Sequence, residues 1–286
     1  MENKISAILL ISCPDQKGIV AAVSRFLYEN NGNVIRLDQH VDFEENIFLS
    51  RVEWEMEGFN IPREQISDKI TELAKSFNMT WELHFSDEKL RVAIFVSKLT
   101  HCLYDVLSRY QAGEWNIQIP LVISNHPDAD PIAKTFGINY FQFPITKDNK
   151  AAQERKQVKL LKEHDIDFII LARYMQILSP DIIDQYQNRI INIHHSFLPA
   201  FPGAKPYHSA YKRGVKIIGA TSHYVTSELD GGPIIDQDII RVTHQHTIND
   251  FVRKGRDLEK VVLARAIWLH LQHKVLSYKN KTVVFD

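Results

Sequence analysis

Residues 84–97 read HFSDEKLRVAIFVS, and the pattern of the chain changes across them. The polar half, HFSDEKLR (84–91), reads as a connector, and RVAIFVS (91–97) as a strand. Upstream, ISAILLIS (5–12) is an apolar run of strand length, PDQKG makes a turn, and Ile19, Ala22, Val23, Phe26 and Leu27 recur at helical spacing. Val34 to Val41 alternates, with Ile35, Leu37 and Val41 on one face. NIFLSRVEWEM alternates again, with Phe48, Val52, Trp54 and Met56 together. Ile66, Ile70, Leu73, Ala74 and Phe77 mark a second helix, and WELHF closes the unit as a strand. The order is βαββαβ.

Downstream of the connector, strands and helices alternate. LYDVLSRY is helical, IQIPLVIS a strand, DPIAKTF a helix, NYFQFP a strand, AAQERKQVKLLKEH a helix and DFIILAR a strand. Such a sequence predicts an α/β unit with a Rossmann-like, mostly parallel sheet and helices on both faces. Sites in these sheets lie outside the carboxyl ends of the strands. The expected organisation is therefore 1–86 and 87–286. In the last stretch, Leu258, Val262, Ala266 and Leu269 fall at helical spacing, with Val261 and Ile267 widening the stripe, before a YKNK turn into TVVF. Its breadth suits a subunit interface as well as a core, and a homo-oligomer is expected.

The first unit, with PDQKG leading into its first helix, resembles an ACT domain, a ferredoxin-like regulatory fold. The resemblance implies a small amino-acid effector bound at a domain interface, and glycine or methionine is the expected class. Asp15 and Gly18 would sit at the helix N-terminus, where free N–H groups suit a carboxylate. They also read as plain turn chemistry, an aspartate that caps and a glycine that tolerates the backbone.

Composition narrows the partners. Of 286 residues, 34 are Lys or Arg and 35 are Asp or Glu, so no basic field collects nucleic acid or anionic membrane. Cys13 and Cys102 are the whole cysteine content, too few for a disulfide scaffold. MENKISAILL lacks a signal-peptide pattern, and no run reaches the roughly 20 apolar residues that cross a bilayer. A reducing cytoplasm is the expected location.

INIHHSFLPAFPG (191–203) carries the chemistry. Its two histidines could hold a metal, do acid–base or oxyanion work beside Asn192, or be ordinary strand residues. Along an extended chain Asn192 and His194 share a face and His195 points away. A zinc site would have to recruit His208 or His223, and no HExxH or CxxC spacing is present. No metal and no cofactor are expected. An amide and an imidazole two residues apart can instead stabilise an oxyanion. GATSHYVTSELDGGP (219–233) adds Asp230, which could orient water or hold a protonated ring, or simply open a turn. Cys102 beside His101 suggests a thiol, but neighbours on a helix point in different directions. His101, near a helix start, could meet water, formate or a substrate tail, or lie at the surface.

Together, NIHHSFLPAFPG and SHYVTSELDGGP resemble the formyltetrahydrofolate-using hydrolases and transferases over residues 88–286. The resemblance implies Asn192, His194 and Asp230 as the catalytic set, with His223 in support. It also implies folate binding on RYMQIL, through Met175, Gln176, Ile177 and Leu178, with Val225 lining the pocket. The nucleotide-using transferases of that superfamily have a glycine-rich phosphate loop after the first strand. Here VSKLTHCLYDVL stands in that place, with no glycine from Arg91 to Ala112. Without a phosphate cradle, water is the expected acceptor and hydrolysis of 10-formyltetrahydrofolate the expected reaction, feeding formate to purine biosynthesis. The alternatives are transfer to an amine and a non-catalytic folate or amino-acid sensor.

Overall fold

The computed structural model describes residues 4–200 and 206–285, which form two compact units. The first runs through Glu88 and takes in Gln272–Tyr278 and the chain from Thr282; the second spans Lys89–Leu271 with Lys279–Lys281. Of the motif at 191–203, Phe201, Pro202 and Gly203 lie outside the described residues.

In the first unit, β1 (Ser6–Pro14), α1 (Ile19–Glu29), β2 (Val34–Asp42), β3 (Ile47–Glu55), α2 (Arg63–Lys75) and β4 (Thr80–Phe85) follow the βαββαβ order. The sheet is antiparallel, in order β2-β3-β1-β4. Alternate residues of β1, Ala7, Leu9, Ile11 and Cys13, share a core with Ile19, Val23 and Leu27 of α1 and with Ile66 and Ile70 of α2. Phe48, Val52 and Trp54 join that core from β3, as their alternation predicts. On β2, Val41 packs on the core, whereas Ile35 is 53% and Leu37 38% exposed. They sit on the sheet's edge strand, where the pairing with β3 is irregular between Val34 and Arg36. Gly18 caps α1 at φ 97°, a left-handed conformation that favours glycine. No side chain caps this helix, so Asp15 does not serve as its cap. The connector is fastened at its start: Arg63 ion-pairs with Asp87 and Glu88 and lies 3.8 Å over the Phe85 ring.

The second unit begins with β5 (Leu90–Val96), α3 (His101–Gln111), β6 (Ile117–Ser124), α4 (Asp130–Thr135), β7 (Asn139–Gln142), α5 (Lys150–Glu163) and β8 (Phe168–Leu171). It continues with α6 (Pro180–Ile183), β9 (Ile190–His194), α7 (Pro206–Arg213), β10 (Ile217–Tyr224), β11 (Ile234–Arg241) and α8 (Ile248–Leu271). The seven strands run in the order β11-β10-β9-β8-β5-β6-β7. The five from β9 to β7 pair in parallel, and β10 and β11 add an antiparallel edge. Every residue of β8 is buried, as expected for a parallel strand covered on both sides. The strand order reverses between β5 and β8, the switch point of such a sheet. α8 packs against β9, β10, β11 and α3. Its apolar stripe is as expected except for Val261, which is 43% exposed.

The chain's end forms a hairpin, β12 (Val275–Tyr278) and β13 (Lys281–Val284). Leu276 and Phe285 bury themselves with Leu10 and Leu49, on the face of β1 and β3 opposite the helices. Arg51, itself 3% exposed, holds this segment by donating to the carbonyls of His273 and Gln272. These contacts tie the segment to the first unit.

Candidate active site

Asn192 and His194 project from the end of β9. In the antiparallel pairing Asn192 faces His223 and His194 faces Thr221, so the sheet itself brings three of the expected site residues together. A register shift between Ser222 and His223 then turns the chain toward Asp230. The break after His194 is fixed by Thr221, which is fully buried. Its hydroxyl donates to the Ser196 carbonyl and accepts from the Leu198 N–H.

The Asp230 turn depends on close backbone packing. Asp230 has φ 54°, which Asp tolerates better than most residues. At Gly232 a Cβ would fall 1.9 Å from the Tyr224 carbonyl oxygen, so only glycine fits. The turn delivers Asp230 Oδ1 to 3.2 Å from His194 Nδ1 and 3.7 Å from His223 Nε2. Hydrogen bonding from His194, then from His223, holds the Asp230 carboxyl well below the usual carboxylate range, against the effect of its burial. It is an anion throughout the neutral range.

Hydrogen-bond logic assigns the rings. His223 Nδ1 lies 2.8 Å from the Tyr224 carbonyl, which can only accept, so Nδ1 carries the proton. His223 Nε2 lies 3.2 Å from Asn192 Nδ2. His194 directs Nδ1 at Asp230 and leaves Nε2 buried with no partner among the described residues. A buried ring nitrogen without a partner is costly in a folded protein, and here it belongs to the expected catalytic histidine.

These groups line a cavity of about 700 Å³. Met175, Gln176, Ile177, Leu178 and Val225 line it too. Met175 and Ile177 are exposed, at 49% and 59%, while Leu178 is buried. His195 also lines the cavity, correcting the expectation that it points away. β9 ends at His194, so strand alternation no longer governs the next residue, and the two rings lie 5.2 Å apart. Asn280, unforeseen from sequence, lines the cavity and donates to the Gly231 carbonyl at 2.9 Å.

His101 lies in a separate cluster. Its Nε2 is 2.8 Å from Oε2 of Glu259, which also lies 3.3 Å from Arg173 Nε, and the Tyr207 hydroxyl donates to Oε1 at 2.6 Å. Burial works to raise the Glu259 pKa, but the His101 hydrogen bond and the Arg173 charge hold it below the usual range. His101, Cys102 and Glu259 present donor atoms within 4.8 Å of one another. Arg173 already neutralises the carboxylate, and burial pushes the Cys102 thiol well up. The cluster therefore has the chemistry of an internal ion-pair network. Glu259 could have been noticed in the sequence, since a charged residue three and four positions before Val262 and Leu263 falls on the apolar stripe.

Two family models match the chain, an ACT domain over residues 7–75 and a formyl transferase over residues 90–267. The fold and the Asn-His-Asp floor therefore define a formyl-transferase-type unit attached to an ACT unit. A formyltetrahydrofolate deformylase of Synechocystis sp. is 56% identical over 285 residues, covering all of both chains. The crystal structure of a formyltetrahydrofolate deformylase from Pseudomonas syringae pv. tomato superposes with a TM-score of 0.97 at 44% identity, covering 100% of this chain and 96% of that one. A glycinamide ribonucleotide transformylase from Symbiobacterium toebii matches less of the chain, 72% against 98% of its own, with a TM-score of 0.66 at 26% identity. The chain belongs to the formyltetrahydrofolate deformylase family.

Proposed function

We propose that this protein hydrolyses 10-formyltetrahydrofolate to formate and tetrahydrofolate, with Asn192, His194 and Asp230 as the catalytic set. The observation that carries the reading is the ionised Asp230 against His194 Nδ1, with His194 Nε2 unpartnered among the described residues at the cavity. In this reaction water oxygen bonds to the formyl carbon. The charge that develops on the formyl oxygen is met by the Asn192 amide and by the Nε2–H of a protonated His194. Asp230, ionised, orients the water or accepts its proton and holds the imidazolium. As the C–N bond breaks, one proton of the water goes to N10 of the folate, and the other leaves with the formic acid, which ionises to formate. His223 supports the set by fixing Asn192 and adding a second partner for Asp230.

The backbone of Met175–Leu178 meets the pterin, and Val225 lines its pocket. No glycine lies between β5 and α3 to cradle an acceptor's phosphate, which favours water. The protein chain supplies all of the chemistry, with no cofactor or metal. Both cysteines are free and buried, in keeping with a reducing cytoplasm, and no helix among the described residues is long and apolar enough to cross a membrane. The formate serves purine biosynthesis. In the ACT unit, Asp15 and Gly18 offer a site for a small amino acid such as glycine or methionine. The exposed apolar edge of β2 suits pairing with a second copy, giving a homo-oligomer.

The test is formate release by the pure protein with no amine acceptor and with chelator present. Steady production that disappears in Asn192→Ala supports the proposal; no formate, or formate only when an amine is added, overturns it.

A further inference from the structure

Residues 173–178, between β8 and α6, form no regular element, yet the proposed reading asks their backbone to recognise a pterin. A free loop could not do so with precision, because ordering it on binding costs affinity. The structure shows what holds it. Ser97, immediately beyond β5 and 3% exposed, binds the loop twice. Its N–H donates to the Arg173 carbonyl at 3.2 Å, and its hydroxyl accepts from the Met175 N–H at 2.9 Å. The same hydroxyl donates to Asn125 Oδ1 at 2.7 Å, so its proton is committed and its lone pair faces Met175. Arg173 is held at φ 65°, a left-handed conformation that is costly for arginine and persists only where neighbours fix it.

The far end is held by a second buried group. Glu154 of α5, 5% exposed, accepts from the Ser179 N–H at 3.2 Å. Between the two anchors, Tyr174 turns inward against Phe95, with ring centroids 5.2 Å apart. Met175–Leu178 thus hang between polar anchors at the end of β5 and on α5, not in the loop. Neither anchor is among the residues that line the cavity.

We propose that Ser97 and Glu154 are positioning residues for substrate binding, presenting the 175–178 backbone in the conformation that receives the folate ring. The inference rests on the deformylase reading of the same cavity but can fail independently of it. Removing either anchor leaves a loop N–H without its partner, a loss that lowers affinity by about tenfold. The chemical groups on β9 and at Asp230 do not depend on these bonds, so turnover at saturation is spared.

The experiment is steady-state formate release by the full chain for wild type, Ser97→Ala, Glu154→Ala and Glu154→Gln, with melting temperatures alongside. The expected result is a KM for 10-formyltetrahydrofolate raised about tenfold in both alanine variants with kcat within about twofold of wild type. Glu154→Gln, which keeps an acceptor oxygen, restores KM. The Glu154 pair keeps the test open if Ser97→Ala does not fold. Unchanged KM in the folded alanine variants overturns the inference, as does a fall in kcat with KM unmoved or a KM in Glu154→Gln as high as in Glu154→Ala. Absence of formate from wild type overturns the deformylase reading instead.

Discussion

The floor of the cavity and its 173–178 wall are built in opposite ways. Asn192, His194 and His223 stand on paired strands, where the register sets their spacing, and Asp230 is placed by a turn so close-packed that Gly232 has no room for a Cβ. The wall has no register and takes its shape from single hydrogen bonds to buried side chains. Groups that must meet a developing charge need fixed geometry from the scaffold. Groups that recognise a flat ring need only a loop that is already ordered when the ring arrives. Damage to the floor should therefore appear in kcat and damage to the wall in KM.

The largest effects are expected on the floor. His194→Ala and Asp230→Ala should each lower kcat by about 1,000-fold or more while leaving the protein folded at assay temperature and folate binding largely intact. Wild-type turnover in either variant would refute the assignment. Gly232→Ala should follow, because the Tyr224 carbonyl has to move. A loss of kcat of about tenfold or more, with a lower melting temperature, is expected, since small misplacements in a site are expensive.

The acidity of Asp230 gives a prediction with a definite sign. Its folded pKa lies below the unfolded value, so its contribution to stability is fully present above the unfolded pKa of about 4 and fades as pH falls through the folded value. The difference in stability between wild type and Asp230→Asn should be constant from about pH 8 to pH 5 and shrink below about pH 4. Loss of activity between about pH 7 and pH 5 would then belong to other groups. A stability difference that already closes near neutral pH contradicts the ionised carboxylate.

At the wall, Met175→Ala should change KM less than about threefold, since the side chain is 49% exposed and its backbone N–H is the anchored group. A larger rise would move recognition from backbone to side chain. The smallest effect lies in the first unit. Cys13, pushed up to about 11 chiefly by burial and secondarily by Asp15, should resist thiol reagents at neutral pH until the protein unfolds. Rapid labelling of the native protein would show that this core opens.

The same contrast decides what could be read from sequence. The βαββαβ unit was legible because Leu9, Ile11, Val52 and Trp54 announce their faces by alternation, and β5 to β9 because strands and helices change period in turn. The exposure of Ile35 and Leu37 on the edge strand was not legible, since alternation gives a side chain's face but not whether anything covers it. The start of α8 was hidden because INDFVRKGRD is dense in charge and includes Gly255. That glycine has a structural reason: a Cβ there would lie 2.1 Å from the Tyr207 ring, whose hydroxyl reaches Glu259. Asn192, His194 and Asp230 stood out through their motif. Ser97, Glu154 and Glu259 did not, because their partners lie 78, 25 and 158 residues away along the chain and only the fold brings them together.

The central claim is that water attacks the formyl group over the Asn192–His194–Asp230 floor. Its most direct test is single-turnover reaction of the wild-type protein with 10-formyltetrahydrofolate in water enriched in heavy oxygen, followed by mass analysis of the formate. Incorporation of one solvent oxygen into each formate released, matched by an equal yield of tetrahydrofolate, is the predicted result. Tetrahydrofolate formed without labelled formate would show that the formyl group goes to another acceptor and would contradict the account.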